Sequence, residues 1–198
     1  MHKFIKTAVL SFVLLFAAGH IYAMAPQWKI DPAHSGIYFS VQHIYSKTHG
    51  FFEKFEGDSY FDPNNLGGSS FNFTVQVKSV NTNNRKRDGH LRSGDFFSAK
   101  EYPVMTFKST RITHKQGNQY VVAGQMSVKD VTKSVSIPFT FFGTTANPFN
   151  PKESVAGFEA RFMFNRLDYN VGNGKFFKMG VVGKDVEVVI TTEMTRKM

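Results

Sequence analysis

Residues 28–43 read Trp28-Lys29-Ile30-Asp31-Pro32-Ala33-His34-Ser35-Gly36-Ile37-Tyr38-Phe39-Ser40-Val41-Gln42-His43, a polar turn joined to a strand of strict alternation. Successive side chains of a strand point to opposite faces, so Ile37, Phe39, Val41 and His43 share one face. An ordinary half-buried strand would end such a row on another hydrophobe. An imidazole in line with it reads as a polar group turned toward an interior space.

The same period recurs down the chain. Phe71, Phe73, Val75 and Val77 alternate with polar residues from Ser69 to Lys78. Tyr120, Val122, Gly124, Met126 and Val128 form another row, as do Val135, Ile137, Phe139 and Phe141, then Phe158, Ala160, Phe162 and Phe164, and finally Val186, Val188 and Ile190. Weaker strand signals lie in Phe51–Phe61 and Val104–Thr113. With the first strand these make about eight. Turn residues separate them at 62–65, 115–118 and 129–130, and a long loop with Pro148 and Pro151 is expected over 143–154. Residues 83–100 lack period two, begin with asparagines able to cap, and predict one or two short helices.

About eight antiparallel strands form either a sandwich or a closed barrel, and only the barrel removes both edges. Periodicity leaves that choice open. The chain holds 22 phenylalanines; in a small barrel such rings either pack on one another or line a cavity for one elongated ligand.

At the N-terminus, Lys3 and Lys6 precede an apolar run from Ala8 to Ala18, and Ala23-Met24-Ala25 offers small residues for cleavage. Residues 1–25 are therefore read as an export signal and 26–198 as one domain that is soluble after cleavage. No cysteine occurs in the chain, so stability must come from a core rather than a disulfide framework. Without Lys3 and Lys6 the formal charge falls by two, from +9 to +7. That sign favours anionic surfaces; export argues against nucleic acid and leaves phospholipid headgroups, which Arg85-Lys86-Arg87 could approach, although a solvated charge run is the safer reading of that tripeptide.

Several ordered motifs resemble those of the YceI-like family of exported polyisoprenoid-binding proteins. They are the opening Trp28 to Ser35 with Phe39 and His43; Gly50-Phe51-Phe52 with Phe55 and Gly57; His90-Leu91-Arg92-Ser93-Gly94-Asp95-Phe96-Phe97; Tyr102-Pro103-Val104-Met105-Thr106-Phe107; Val131-Thr132-Lys133; and Asn165-Arg166-Leu167-Asp168-Tyr169. The resemblance spans nearly the whole of 26–198. It implies an all-β fold, an eight-stranded antiparallel lipocalin-like barrel, whose tunnel holds a long isoprenoid chain such as that of a quinone or prenyl lipid. The chain departs from the family pattern at Tyr169-Asn170-Val171-Gly172, where glycine usually follows the aromatic directly, and at Asp130, where glycine is common. Both departures fall in expected turns.

Burying an isoprenoid tail is worth ~0.8 kcal/mol per methylene-sized group, so a wall of Phe, Val and Met binds it with few polar contacts. The expected tunnel wall is Phe39, Val41, Phe71, Phe73, Val75, Phe107, Met126, Phe139, Phe141, Phe158, Phe162 and Phe164, with His43 from the first strand and Phe96 and Phe97 plugging or lining one end. His34, Arg92 and Asp95 are candidates for the headgroup or tunnel mouth. Each also has a structural reading: His34 in a polar turn, His43 satisfied by a neighbouring strand, Arg92 with Asp95 as an ion pair, and likewise Arg166 with Asp168. The histidines show no tight metal-ligand spacing, no nucleophile sits beside a base and an orienting group, and neither a metal nor a catalytic cofactor is expected. The expected function is binding of an isoprenoid lipid or quinone in the periplasm, for transport, storage or stress protection, with a homodimer as a further partner state. Two rivals stand beside it: an enzyme acting on such a lipid with His43 or Asp95 as general acid or base, and a barrel filled by its own rings that works through a protein partner.

Overall fold

The computed structural model describes residues 23–198; the expected export signal lies outside the described residues except for its last three. Eleven strand segments form one antiparallel sheet: β1 (Gln27–Ile30), β2 (Gly36–His43), β3 (Ser46–Phe52), β4 (Phe55–Tyr60), β5 (Ser70–Gln76), β6 (Val80–Asn81), β7 (Val104–Gln116), β8 (Gln119–Val128), β9 (Val131–Asn147), β10 (Asn150–Asn165) and β11 (Val182–Lys197).

These segments reduce to eight staves, because the first three staves are each broken once. β1 and β2 lie end to end against β11, with Lys29 beside Thr195 and Ile37 beside Ile190. β3 and β4 lie end to end against β6 and β5. The first stave pairs with both the second and the last, so the sheet is a closed barrel with no free edge.

Each break is stitched by a side chain that replaces missing ladder bonds. At 31–35, the Asp31 carboxylate accepts from the Ala33 amide at 2.9 Å. The Ser35 hydroxyl donates to the Glu193 carbonyl and accepts from the Glu193 amide, both at 3.1 Å. At 77–79, a 3₁₀ turn, Ser79 Oγ accepts from the Lys54 amide at 3.1 Å. Short hydroxyl side chains favour such local backbone bonding.

The long loop expected over 143–154 is not there. β9 and β10 continue through it as a hairpin, with Val155 opposite Thr145 and Ala156 opposite Thr144. Pro148 sits in the tight turn at 148–149 and Pro151 at the outer end of β10, where a missing amide costs the ladder little. Within 83–100 there is one helix, α1 (Arg85–Arg92), started by Asn84, whose side chain accepts from the Arg87 amide at 3.0 Å. A second, one-turn helix, α2 (Lys175–Lys178), lies outside the expected segment. No helix among the described residues is long and apolar enough to cross a membrane.

The two ends of the barrel differ. One is plugged by aromatic rings around Phe61, which is 2% exposed and lies 5.0–6.0 Å from Phe71, Tyr120, Phe139, Phe141 and Phe158. Trp28 closes this end, its indole N–H donating to the Phe61 carbonyl at 3.0 Å. The other end carries α1, the turns that follow it, a 3₁₀ turn at Arg166–Tyr169, and α2. There Phe96, Val128, Tyr169 and Val171 pack as a separate small core.

Candidate functional site

Between plug and cap lies a cavity of ≈ 230 Å³. Inward positions of the staves supply its wall: Phe39 and Val41 from β2, Phe71, Phe73 and Val75 from β5, Phe107 from β7, Met126 from β8, Phe139 from β9, and Phe158, Phe162 and Phe164 from β10. Phe96 and Phe97, with Leu91 of α1, roof it. Phe39, Phe73, Phe107, Phe162 and Phe164 point inward yet stay only half-buried, because each borders the open space of the cavity. Val186, Val188 and Ile190 also line it; their alternating row was visible in the sequence, and the same parity argument could have placed them.

Five candidates, Phe141, His43, Arg92, Asp95 and His34, lie elsewhere. Phe141 points inward but belongs to the plug, 5.0 Å from Phe61 and 5.2 Å from Phe158. His43 is exposed, paired with Ser46 and Val182 at the rim; β2 runs past the barrel wall, so inward parity aims its ring at solvent. Arg92 donates to the Lys78 carbonyl at 3.1 Å on the outer side of the cap. Asp95 takes His90 as its partner at 2.8 Å instead of Arg92, while the His90 ring stands edge-on to Phe96 at 5.0 Å. The cap segment is held by these bonds from outside, and neither Arg92 nor Asp95 lines the cavity.

His34 is exposed in the 31–35 turn, its Nδ1 2.8 Å from the Asp31 carboxylate. That hydrogen bond lowers the Asp31 pKa and raises the His34 pKa. The pair is therefore complete while Asp31 is ionised and His34 protonated; it is lost as pH rises through the raised imidazole pKa, and at the acid end as Asp31 takes a proton. The His34 imidazole should titrate above the ordinary range by NMR and return to it in Asp31→Asn; an ordinary value in the unaltered chain would contradict the pairing. Asp31, His34 and Glu193 bring one potential ligand atom each within 4.8 Å of one another, a grouping across the sequence that histidine spacing could not disclose. The Asp31 carboxylate is engaged by the Ala33 amide and His34, while the bonds that stitch the turn to β11 run from Ser35 to the Glu193 backbone.

Arg166 is the residue whose role the sequence obscured. Its expected partner Asp168 pairs with Lys133 at 3.5 Å. Arg166 is instead 4% exposed and lines the cavity at the capped end. Its guanidinium donates to the carbonyls of Gly183 at 2.8 Å, Val171 at 2.7 Å and Val182 at 3.3 Å, and lies 5.7 Å from the Phe96 ring centroid. Burial pushes its pKa down, but a guanidinium keeps its charge in proteins. It forms no ion pair among the described residues. A cation taken out of water with only carbonyl dipoles around it is costly, and one acceptor-rich group beside it would offset much of that cost.

The two departures from the family pattern meet at this end. Asn170 adopts the left-handed region, φ 55°, which asparagine tolerates better than most residues. Its side-chain amide donates to Asp130 at 3.1 Å, and Lys129 Nζ donates to the Asn170 carbonyl at 2.6 Å. The β8–β9 turn thus clamps the segment that carries Arg166 and Val171.

A family model described as the YceI-like domain matches residues 28–194. Protein YceI of Escherichia coli O157:H7 is 34% identical over 183 residues, covering 91% of each chain. Among solved structures, BcnA of Burkholderia cenocepacia superposes with a TM-score of 0.74 at 26% identity, covering 85% of this chain and 99% of the other. A polyisoprenoid binding domain from Saccharophagus degradans superposes with a TM-score of 0.63 at 14% identity, over 88% and 99% of the two chains, a likeness of fold alone.

Proposed function

This chain belongs to the YceI-like family, and we propose that it is an exported, single-domain protein that holds one isoprenoid lipid or quinone in the barrel, binding without turnover. The observation that carries this reading is a cavity walled by Phe, Val and Met inside a closed barrel, where the polar side chains on the inward face are those of Arg166 and Thr192, Thr106 and Glu159 bordering it from positions that alternate to the outer face. A hydrocarbon chain gains from leaving water in such a space whatever its sequence of double bonds. The Saccharophagus degradans neighbour is a polyisoprenoid binding domain, the same ligand class. The domain would be 26–198, released from the signal 1–25 into the periplasm.

The cavity is smaller than the ~300–1,000 Å³ usual for ligand pockets. Seating several isoprene units therefore requires the half-packed rings of Phe97, Phe162 and Phe164 to swing aside. In this reading the tail points toward the Phe61 plug and the polar head lies under the cap, against Arg166. The filled-barrel rival is left with the plugged end only. The enzyme rival loses its acid–base candidates, since neither His43 nor Asp95 lines the cavity.

The test pairs a hydrocarbon with an oxygen-bearing ligand. The chain freed of lipid is titrated with squalene and with a prenyl ligand of matched length that carries a quinone or phosphate head, following fluorescence of the single tryptophan. Uptake of both is expected, with a preference for the polar-headed ligand. Arg166→Gln should remove about tenfold or more of that preference, one charge-assisted hydrogen bond being worth ~1.5–3 kcal/mol, and leave squalene uptake in place. Uptake of neither ligand by the unaltered chain would overturn the reading.

A further inference from the structure

We infer that the α2 end of the barrel docks on an anionic phospholipid surface, with Ile44, Tyr45, Phe177 and Met179 set among the headgroups and the surrounding lysines on the phosphates. The inference rests on the reading above only for its purpose: a protein that holds a water-insoluble lipid has to meet the surface where that lipid resides.

The four side chains are exposed although large and apolar: Tyr45 98%, Met179 62%, Ile44 51% and Phe177 43%. Two separate elements bring them together. Tyr45 and Ile44 form the tip between β2 and β3, and the Ile44 amide donates to the Val181 carbonyl at 3.1 Å. Val181 in turn donates its amide to the Phe176 carbonyl at 2.9 Å, and Gly180 to Phe177 at 2.9 Å. The β2–β3 tip and α2 thus share one rim. Val171 and Val182, on either side of α2 in sequence, line the cavity, so this rim borders the capped end of the tunnel.

The charge of the rim fits the same occupant. Lys175 and Lys178 belong to α2, Lys184 sits with its Nζ 5.9 Å from the Phe177 ring centroid, and Lys47 follows the tip. Against them stand Asp185 and Glu187, and Glu187 is already bound by Lys47 at 3.2 Å and Arg161 at 3.0 Å. An excess of lysine around exposed aromatic and aliphatic side chains matches the interfacial zone of a bilayer, where tyrosine and snorkelling lysine are favoured. The basic run Arg85-Lys86-Arg87 fits less well, because Arg87 is turned back onto Thr82, with both guanidinium bonds at 2.7 Å.

Sedimentation with vesicles of phosphatidylglycerol and phosphatidylethanolamine, free of isoprenoid, tests the surface. The unaltered chain should bind these vesicles and not phosphatidylcholine vesicles, and added salt should weaken binding. Lys175→Glu with Lys178→Glu should lower the partition about tenfold or more; Tyr45→Ser with Met179→Ser should lower it several-fold. Phe149→Ser should change nothing: Phe149 is 96% exposed but lies on the β9–β10 turn at the opposite end. Absence of binding by the unaltered chain, or equal loss in Phe149→Ser, would overturn the inference. Squalene uptake in vesicle-free solution, measured on the same variants, should be unaffected; its loss in the unaltered chain as well would be a failure of the cavity reading, not of the docking surface.

Discussion

Ala160→Trp should abolish isoprenoid uptake while leaving the barrel folded. Ala160 lines the cavity from β10, opposite Phe139 of β9 and Ile190 of β11, and is only partly buried because it faces open space. An indole there enters the volume the tail would occupy. Displacing one five-carbon isoprene unit forfeits ~4 kcal/mol at ~0.8 kcal/mol per methylene-sized group, or about a thousandfold in affinity. Thermal unfolding should move little, since the ring fills space instead of splitting a packed contact. Squalene titration and a melting curve on the same sample check both halves. Unchanged affinity in a folded variant would mean that the tail does not lie in this lumen.

Phe61→Ala should be the most destabilising single truncation in the barrel. Phe61 is almost wholly buried and touches five aromatic rings, and its backbone carbonyl anchors Trp28. Removing a fully buried phenylalanine ring costs ~3–5 kcal/mol. For a domain of this size that lowers the melting temperature by about 10 °C. The same change deepens the cavity toward the β1–β4 end, so longer tails should gain affinity relative to shorter ones. A melting temperature within about 2 °C of the unaltered chain would show that the plug does not carry the stability assigned to it.

Much of this architecture was legible because a strand shows its two faces in its sequence. The rows through Phe71–Val75, Tyr120–Val128 and Phe158–Phe164 identified inward faces, and the eight staves follow those rows. What parity could not reveal is how far along a stave the wall ends. His43 and Phe141 share the inward face with Phe39 and Phe139, yet one lies past the rim and the other within the plug. Contacts between distant segments were equally hidden. The carboxylate of Asp168 is only two residues from Arg166, but the 3₁₀ turn sends it outward to Lys133 and sends Arg166 inward to carbonyls of Val171 and Gly183. Asp130 and Asn170, two unrelated departures when read along the chain, are partners in space. The expected 143–154 loop failed for a different reason: its prolines mark the outer end of a hairpin that Thr144 and Thr145 extend as strand.

Whether the barrel carries an isoprenoid lipid is read from the mass of the purified chain under native conditions against its mass after denaturation. A stoichiometric excess is expected in the native state, lost on denaturation, whose extract fragments as a prenyl lipid or isoprenoid quinone. Equal masses, together with no uptake of added prenyl lipids or quinones, would contradict it.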